Sequence, residues 1–315
     1  MRIVFMGTPE FAVPCLQALL DHREDMGLEV AAVFTQPDRP KGRGNRLAAS
    51  PVKKLAEQYG LPVYQPEKIR RESVEDLRAL APDVCVTAAF GQILSQELLD
   101  IPPMGNINVH ASLLPRHRGS APIAWAIWQG DEELGVTTMR MAKGIDTGDM
   151  LLKAALPRDP RATCGEMTER LSRLGADLLI ETLRAMQEGR LTETPQNEAE
   201  STYDPMLTRE MGRMDWTKTA RELANQVLAL NPWPACTVPW GDGRLKLLRA
   251  EAAEGSGAPG TVLRADSREG LLIACGQGAL RVTQLQAPGG KAMDAKDYLR
   301  GHPVETGLKL PAQEE

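Results

Sequence analysis

The stretch Asn106-Ile107-Asn108-Val109-His110-Ala111-Ser112-Leu113-Leu114-Pro115, followed later by Gly144-Ile145-Asp146-Thr147-Gly148-Asp149, decides how the chain reads. Asn108 and His110 are two apart. In an extended strand such residues point to one face, with Ile107 and Val109 turned to the other. A second β-prone run, Gly135-Val136-Thr137-Thr138-Met139-Arg140-Met141, leads to Asp146 in a loop flanked by glycines. Taken alone, Asn-x-His is usually a polar strand edge and Asp-x-Gly-Asp a turn. Together they bring an amide, an imidazole and a carboxylate to strand ends. Such a set suits acyl transfer to an external nucleophile, with no serine or cysteine attacking.

Working outward, the bulk numbers describe an ordinary globular protein. The chain has 315 residues, enough for two domains, with 42% hydrophobic and 25% charged residues. No apolar run reaches the roughly twenty residues of a membrane span. The opening Met1-Arg2-Ile3-Val4-Phe5-Met6-Gly7 reads as a short strand and turn, not a targeting segment. The five cysteines (Cys15, Cys85, Cys164, Cys236, Cys275) are scattered, without zinc or redox spacing, and read as free thiols in a reducing cytosol. The four histidines offer no two-His helical spacing, so no metal is expected. The net charge of -5 does not by itself suggest a nucleic-acid partner, which must be argued from local patches.

Local patterns then order the chain. A strand over 2–6, a turn at Gly7 and a helix over 11–22 open a βαβ unit, with Thr8 suited to an N-cap and Pro9 to the first helical position. G-x-G-x-x-G is absent, which excludes a dinucleotide loop on this pattern. The Pro-, Gly- and Arg-rich segment 36–46 reads as a flexible loop. From Asp38 to Lys54 six bases (Arg39, Lys41, Arg43, Arg46, Lys53, Lys54) face one acid. That charge fits either a solvated loop or a phosphate-binding arm. The continuous apolar run 83–88 reads as a buried strand of a parallel sheet. A long amphipathic helix is expected over 163–186, and a polar, aperiodic linker after it. Beyond lie a helix over 219–230 and many short strands with Gly-rich turns, the pattern of a small barrel. From Met206 to Glu315 there are 14 bases and 13 acids, so any RNA footprint there is confined to one face.

With those residues in hand, Asn-x-His-x-Ser-Leu-Leu-Pro followed by Asp-x-Gly resembles the folate-dependent formyltransferases. The opening Met6-Gly7-Thr8-Pro9-Glu10-Phe11 is similar to that of their methionyl-tRNA branch. The resemblance covers essentially the whole chain. It implies an α/β fold with a Rossmann-like N-terminal formyltransferase domain (1–189) on a mostly parallel sheet. A linker (190–206) and a C-terminal OB-like β-barrel that holds tRNA (207–315) would follow. The implied donor is 10-formyltetrahydrofolate, and the implied acceptor is the α-amine of methionyl initiator tRNA. Asn108 would stabilise the oxyanion. His110 would hold the formyl group and assist proton transfer, with Asp146 fixing its tautomer. Phe90, Gly91 and Ile93, with Ser112, Leu113, Leu114 and Pro115, would line the folate site. Arg39, Lys41, Arg43 and Arg46 would contact tRNA, Arg43 matching the family's key arginine. Two positions depart from the pattern: Asn45-Arg46 stands where a lysine pair is frequent, and Met206 where a lysine is usual. A cytoplasmic monomer is expected. Other amines, such as glycinamide ribonucleotide or a UDP-amino sugar, share the same residue set, and a folate hydrolase would pass the formyl group to water. A non-catalytic RNA-binding protein on the same scaffold is the alternative of another class.

Overall fold

The computed structural model describes residues 1–41 and 46–311. Contacts divide the chain into two compact units, one built of 1–119, 134–156 and 168–203, the other of 120–133, 157–167 and 204–315.

The first unit is a seven-stranded sheet. Its strands run in the order Met150–Pro157, Glu133–Arg140, Asn106–His110, Val84–Ala88, Arg2–Gly7, Glu29–Phe34, Val63–Tyr64. From Val63–Tyr64 to Asn106–His110 all pairings are parallel, and Glu133–Arg140 joins antiparallel. The expected parallel core is therefore present, and the apolar run predicted at 83–88 is its fully buried Val84–Ala88 strand. Chain order reverses between Arg2–Gly7 and Val84–Ala88. In such doubly wound sheets ligands bind beyond the carboxyl ends of the strands at this switch point. Gly7 sits there because a Cβ would lie 2.7 Å from Phe5 Cε1 and 3.0 Å from the Ala88 carbonyl.

Helix starts follow local chemistry in part. Ser50 caps Pro51–Gln58 by accepting from the Lys53 N–H at 3.0 Å, as Ser-Pro predicts. Thr8 does not cap. The chain turns through a short 3-10 segment at Glu10–Ala12 before the helix Val13–Asp21, and the Thr8 hydroxyl donates instead to the Phe90 carbonyl at 3.0 Å. The long helix Cys164–Gln187 lies where periodicity places it, with Leu171, Leu178 and Leu179 buried.

The described parts of the basic segment form short strands where a loop is expected. Arg39–Lys41 and Arg46–Ala48 pair antiparallel as the stem of a hairpin. Asp38 anchors that stem, accepting from Lys53 Nζ and Gln65 Nε2, both at 2.8 Å. These bonds, the one from Lys53 first, hold the Asp38 carboxyl below its usual range. Lys53 is thus spent inside the protein, which leaves fewer free cations than the raw count implies. Arg43 lies outside the described residues, and for Lys41 and Arg46 only the backbone is described.

The second unit is β-rich, as expected. Its antiparallel strands run Cys236–Trp240, Gly243–Ala253, Ala279–Gln286, Gly270–Ala274, Val262–Asp266, with Ala292–Asp294 also on Ala279–Gln286. The helix Ala220–Ala229 opens with a reciprocal capping box between Thr219 and Glu222. It buries Leu223 and Val227 against Leu245, Leu247 and Leu280. Pro122–Gln129, which also belongs to this unit, stacks Trp125 on Trp128 with ring centres 5.2 Å apart. Among the described residues no helix is long and apolar enough to cross a membrane.

Candidate active site

The strand Asn106–His110 pairs on one side with Val84–Ala88 and on the other with Glu133–Arg140. Ile107 and Val109 are buried on the far face, Val109 packing at Gly175 of the long helix. Asn108 and His110 emerge together on the other face, as their spacing predicts. The loop after Glu133–Arg140 brings Asp146 to both of them. Its Oδ1 lies 3.5 Å from the Asn108 amide nitrogen, and its Oδ2 lies 3.6 Å from His110 Nδ1. The backbone N–H of Gly119 donates to the same Oδ2 at 2.9 Å. The site is sheltered, with the His110 side chain 7% and that of Asp146 16% exposed.

The tautomer of His110 is set elsewhere than predicted. Its Nε2 lies 2.8 Å from the backbone carbonyl of His117. A carbonyl oxygen only accepts, so Nε2 carries the hydrogen. Nδ1 of the neutral ring is then a lone pair facing Asp146. At 3.6 Å the Asp146 contact is beyond hydrogen-bond length. Asp146 therefore faces the ring without fixing its tautomer, and the His117 carbonyl does that work. His117 holds this position in a left-handed backbone conformation, φ +60°.

Two glycine-like demands shape the Asp146 loop. Asp146 itself has φ +52°, which side chains seldom adopt. Gly148 admits nothing larger, since a Cβ would lie 1.9 Å from the Arg140 carbonyl oxygen.

The segments assigned to folate stand at the same sheet end. The turn after Val84–Ala88 lies beside Asn108, because Thr87 is the register partner of Asn108. Phe90 is a core side chain, 2% exposed. Its carbonyl accepts from Thr8 Oγ1 and from Gln36 Nε2, and that of Gly91 accepts from Gln36 at 3.1 Å. Gly91 has φ +82°, and Ile93 is 66% exposed. Ser112 is buried and spends its hydroxyl on the Arg116 carbonyl at 2.7 Å, tightening the turn. Leu113 lies over Gly135, and Leu114 packs on Met139 and Met150. The bond from Leu114 to Pro115 is cis, and Lys153 Nζ donates to the Leu114 carbonyl. These residues build the wall of the turn, leaving Gly91 and Ile93 as its open positions. On the basic hairpin, Arg39 is exposed and reaches Gln36 at 3.4 Å.

Sequence reasoning missed several contributors. Thr87 buries a hydroxyl that has no hydrogen-bond partner among the described residues, level with Asn108. Thr137 accepts from the Leu114 N–H and donates to the Ser112 carbonyl, tying the Ser112–Pro115 turn to the sheet. The segment read as an aperiodic linker supplies Gln196 and Thr202. Gln196 donates to the carbonyls of Asp146 and Gly148, and the Thr202 hydroxyl accepts from the His117 N–H. Each is a lone polar residue in a polar run, so only the register of the Asp146 loop could have singled it out. Burial pushes the thiols of Cys15 and Cys85 up to about 12, so both stay protonated and unreactive at neutral pH. Among the described residues no cluster of histidine, cysteine and carboxylate side chains is arranged to hold a metal ion.

Comparison with known proteins sets this geometry in a family. The family described as formyl transferase matches residues 1–183, and the formyl transferase C-terminal domain matches 206–303. The chain is 50% identical to the methionyl-tRNA formyltransferase of Trichlorobacter lovleyi, over 99% of this chain and 98% of that one. It is 52% identical to that of Geotalea daltonii, over 98% of each. Among solved structures, the fold is shared with HypX from Aquifex aeolicus in complex with tetrahydrofolic acid. There the TM-score is 0.63 at 19% identity, covering all of this chain and 51% of HypX. It is also shared with an N-formyltransferase from Helicobacter canadensis in complex with folinic acid and dTDP-3-aminofucose. That match has a TM-score of 0.68 at 18% identity, over 88% of this chain and 97% of that one. The chain belongs to the methionyl-tRNA formyltransferase family.

Proposed function

We infer that the protein moves the formyl group of 10-formyltetrahydrofolate to the α-amine of methionyl initiator tRNA, giving N-formylmethionyl-tRNA for translation initiation. The observation that carries this reading is the convergence of Asn108, His110 and Asp146 at one sheet end, in a chain about half identical to methionyl-tRNA formyltransferases over nearly its full length.

The chemistry follows from the donors and acceptors present. The neutral amine attacks the formyl carbon, and the carbonyl oxygen takes up negative charge. An amide nitrogen bears two hydrogens. Asn108 directs one toward Asp146 and has the other to offer the oxyanion, a contribution of about 3–4 kcal/mol for a well-placed donor. Nδ1 of His110 takes the proton released by the attacking nitrogen. The imidazolium so formed faces the Asp146 carboxylate across 3.6 Å. As the carbon–nitrogen bond to the folate breaks, that proton passes to the departing folate nitrogen, so the enzyme returns to its starting state. Asp146 faces the Asn108 and His110 side chains, while the Gly119 N–H holds Asp146 and the His117 carbonyl orients the ring. No covalent enzyme intermediate is required.

In this reading Phe90, Gly91, Ile93 and the Ser112–Pro115 turn bound the folate site. Arg39, Lys41, Arg43 and Arg46 of the basic segment 36–46 contact tRNA phosphates. The working division is a catalytic domain over 1–189, a linker over 190–206 and a tRNA-holding domain over 207–315. The protein acts as a cytoplasmic monomer. The test offers 10-formyltetrahydrofolate with three acceptors in parallel: charged initiator methionyl-tRNA, a UDP-amino sugar, and water alone. Formylation confined to the tRNA is expected. Transfer to the sugar or to water, with the tRNA untouched, would overturn the assignment of acceptor.

A further inference from the structure

The segment 194–202 is bonded to the loop that carries Asp146 and to the strand that follows it. Thr194 exchanges backbone hydrogen bonds with Met150, both at 2.9 Å. Two residues on, Gln196 reaches the Asp146 loop. Its Nε2 donates to the carbonyls of Asp146 and Gly148, each at 2.8 Å. Its Oε1 accepts from Arg118 Nε at 2.9 Å. Both amide hydrogens and the amide oxygen are therefore engaged, so the orientation of the group is fixed. Arg118 is held in turn by a two-pronged contact with Glu198, at 3.0 and 2.8 Å. The Arg118 side chain is 8% exposed and that of Glu198 72% exposed. This pairing holds the Glu198 carboxyl below its usual range. The residue after Arg118 is Gly119, whose N–H grips the Asp146 carboxylate.

Asp146 is thus held from two sides by one assembly. Gly119 fixes the carboxylate and Gln196 fixes the carbonyls of a loop whose Asp146 backbone is left-handed. A left-handed non-glycine residue is strained and persists only where its surroundings determine it. Removing the Gln196 donors frees that loop to relax, and the carboxylate moves with it.

We propose that Gln196, oriented by Arg118 and Glu198, is a positioning residue for formyl transfer and acts through Asp146. The proposal rests on the catalytic reading of Asp146 given above. A displacement of about 1 Å at a reacting group can cost on the order of 100-fold in rate. Gln196→Met keeps the length of the side chain and removes both donors. Its kcat should fall ~10- to 100-fold. KM for the folate should stay within about twofold, because the substitution leaves the folate turn untouched. In an Asp146→Ala background, under single-turnover conditions, the same substitution should cost less than about twofold, since the carboxylate it positions is already gone while the backbone carbonyls it holds remain. Gln196→Asn, a methylene too short to span the loop, provides the same test with little change in volume if the methionine variant does not fold. A kcat near wild type in either variant would overturn the proposal, as would an undiminished loss in the Asp146→Ala background. Wild-type turnover by Asp146→Ala itself would instead sink the catalytic reading of Asp146, and is read separately in the same experiment.

Discussion

His110 donates its Nε2 hydrogen to the backbone carbonyl of His117 at 2.8 Å, and this leaves Nδ1 facing Asp146 across 3.6 Å. The ring is thereby oriented by backbone, while Nδ1 is turned toward the Asp146 carboxylate. In the reaction we infer, proton transfer to the ring would set a positive charge opposite Asp146, an interaction that strengthens as that reaction proceeds.

His110→Gln separates these two jobs. The glutamine amide presents an N–H where Nε2–H stood and no basic nitrogen at Nδ1. The expected outcome is a kcat lowered ~10²- to 10⁴-fold with folate affinity little changed. Steady-state formylation together with a folate-binding titration checks it.

Asn108 is asked for a different service. Asn108→Ala removes the donor proposed for the oxyanion and should lower kcat by ~10²- to 10³-fold while leaving the fold intact. The far-UV circular dichroism spectrum, recorded beside the rate, distinguishes a catalytic loss from an unfolded sample.

Gly148 is a structural constraint on the site. An alanine Cβ would lie 1.9 Å from the Arg140 carbonyl oxygen, so loop or strand must shift. Gly148→Ala should destabilise the protein by ~1–3 kcal/mol and displace Asp146. A lowered Tm accompanied by reduced kcat is the expected pair of results.

Acid stability has a local source in the second unit. Glu166 caps the start of the Cys164–Gln187 helix through Thr163 and pairs with Arg249 at 2.5 Å. The Arg249 bond, with help from Thr163, holds its carboxyl down from an ordinary 4.5 to about 2. A depressed folded value stabilises above the unfolded value, and the stabilisation fades as pH falls from about 4.5 toward about 2. The Glu166 side chain is 43% exposed, so solvent screening limits the effect to ~0.2–1 kcal/mol. Glu166→Gln should therefore narrow its stability gap to wild type across that window, read by urea denaturation at stepped pH.

Arg43 carries the largest expectation placed on the basic segment 36–46. Arg43→Ala should raise KM for methionyl-tRNA and flatten its dependence on salt, because one fewer counterion is released per phosphate contact. Folate binding should not change. Rates measured at several salt concentrations check both statements.

The sheet and the approach of Asn108 and His110 on one face were legible because each rests on strong local pattern. The alternation across Asn106–His110 and the apolar run 83–88 follow from strand geometry alone. Thr8 misled because a Thr-Pro pair predicts an N-cap. The strand-end geometry that turns the Thr8 hydroxyl to the Phe90 carbonyl is a property of the packed sheet. The same limit explains Gln196, which bonds to Asp146 from fifty residues away in sequence. It lies in a polar, aperiodic run, where no periodicity marks a residue engaged in tertiary hydrogen bonds. The tautomer of His110 was not legible for a related reason. It depends on a backbone carbonyl, that of His117, which no side-chain pattern reveals.

The central claim is that Asn108, His110 and Asp146 together move a formyl group from folate to the amine of methionyl-tRNA. Single-turnover formylation tests it most directly, with enzyme in excess over charged initiator tRNA and saturating 10-formyltetrahydrofolate. Wild-type protein should give N-formylmethionyl-tRNA rapidly. Asn108→Ala, His110→Gln and Asp146→Ala should each be slowed by roughly 100-fold or more while still binding folate. N-formylmethionyl-tRNA formed by all three variants at the wild-type rate would contradict the account.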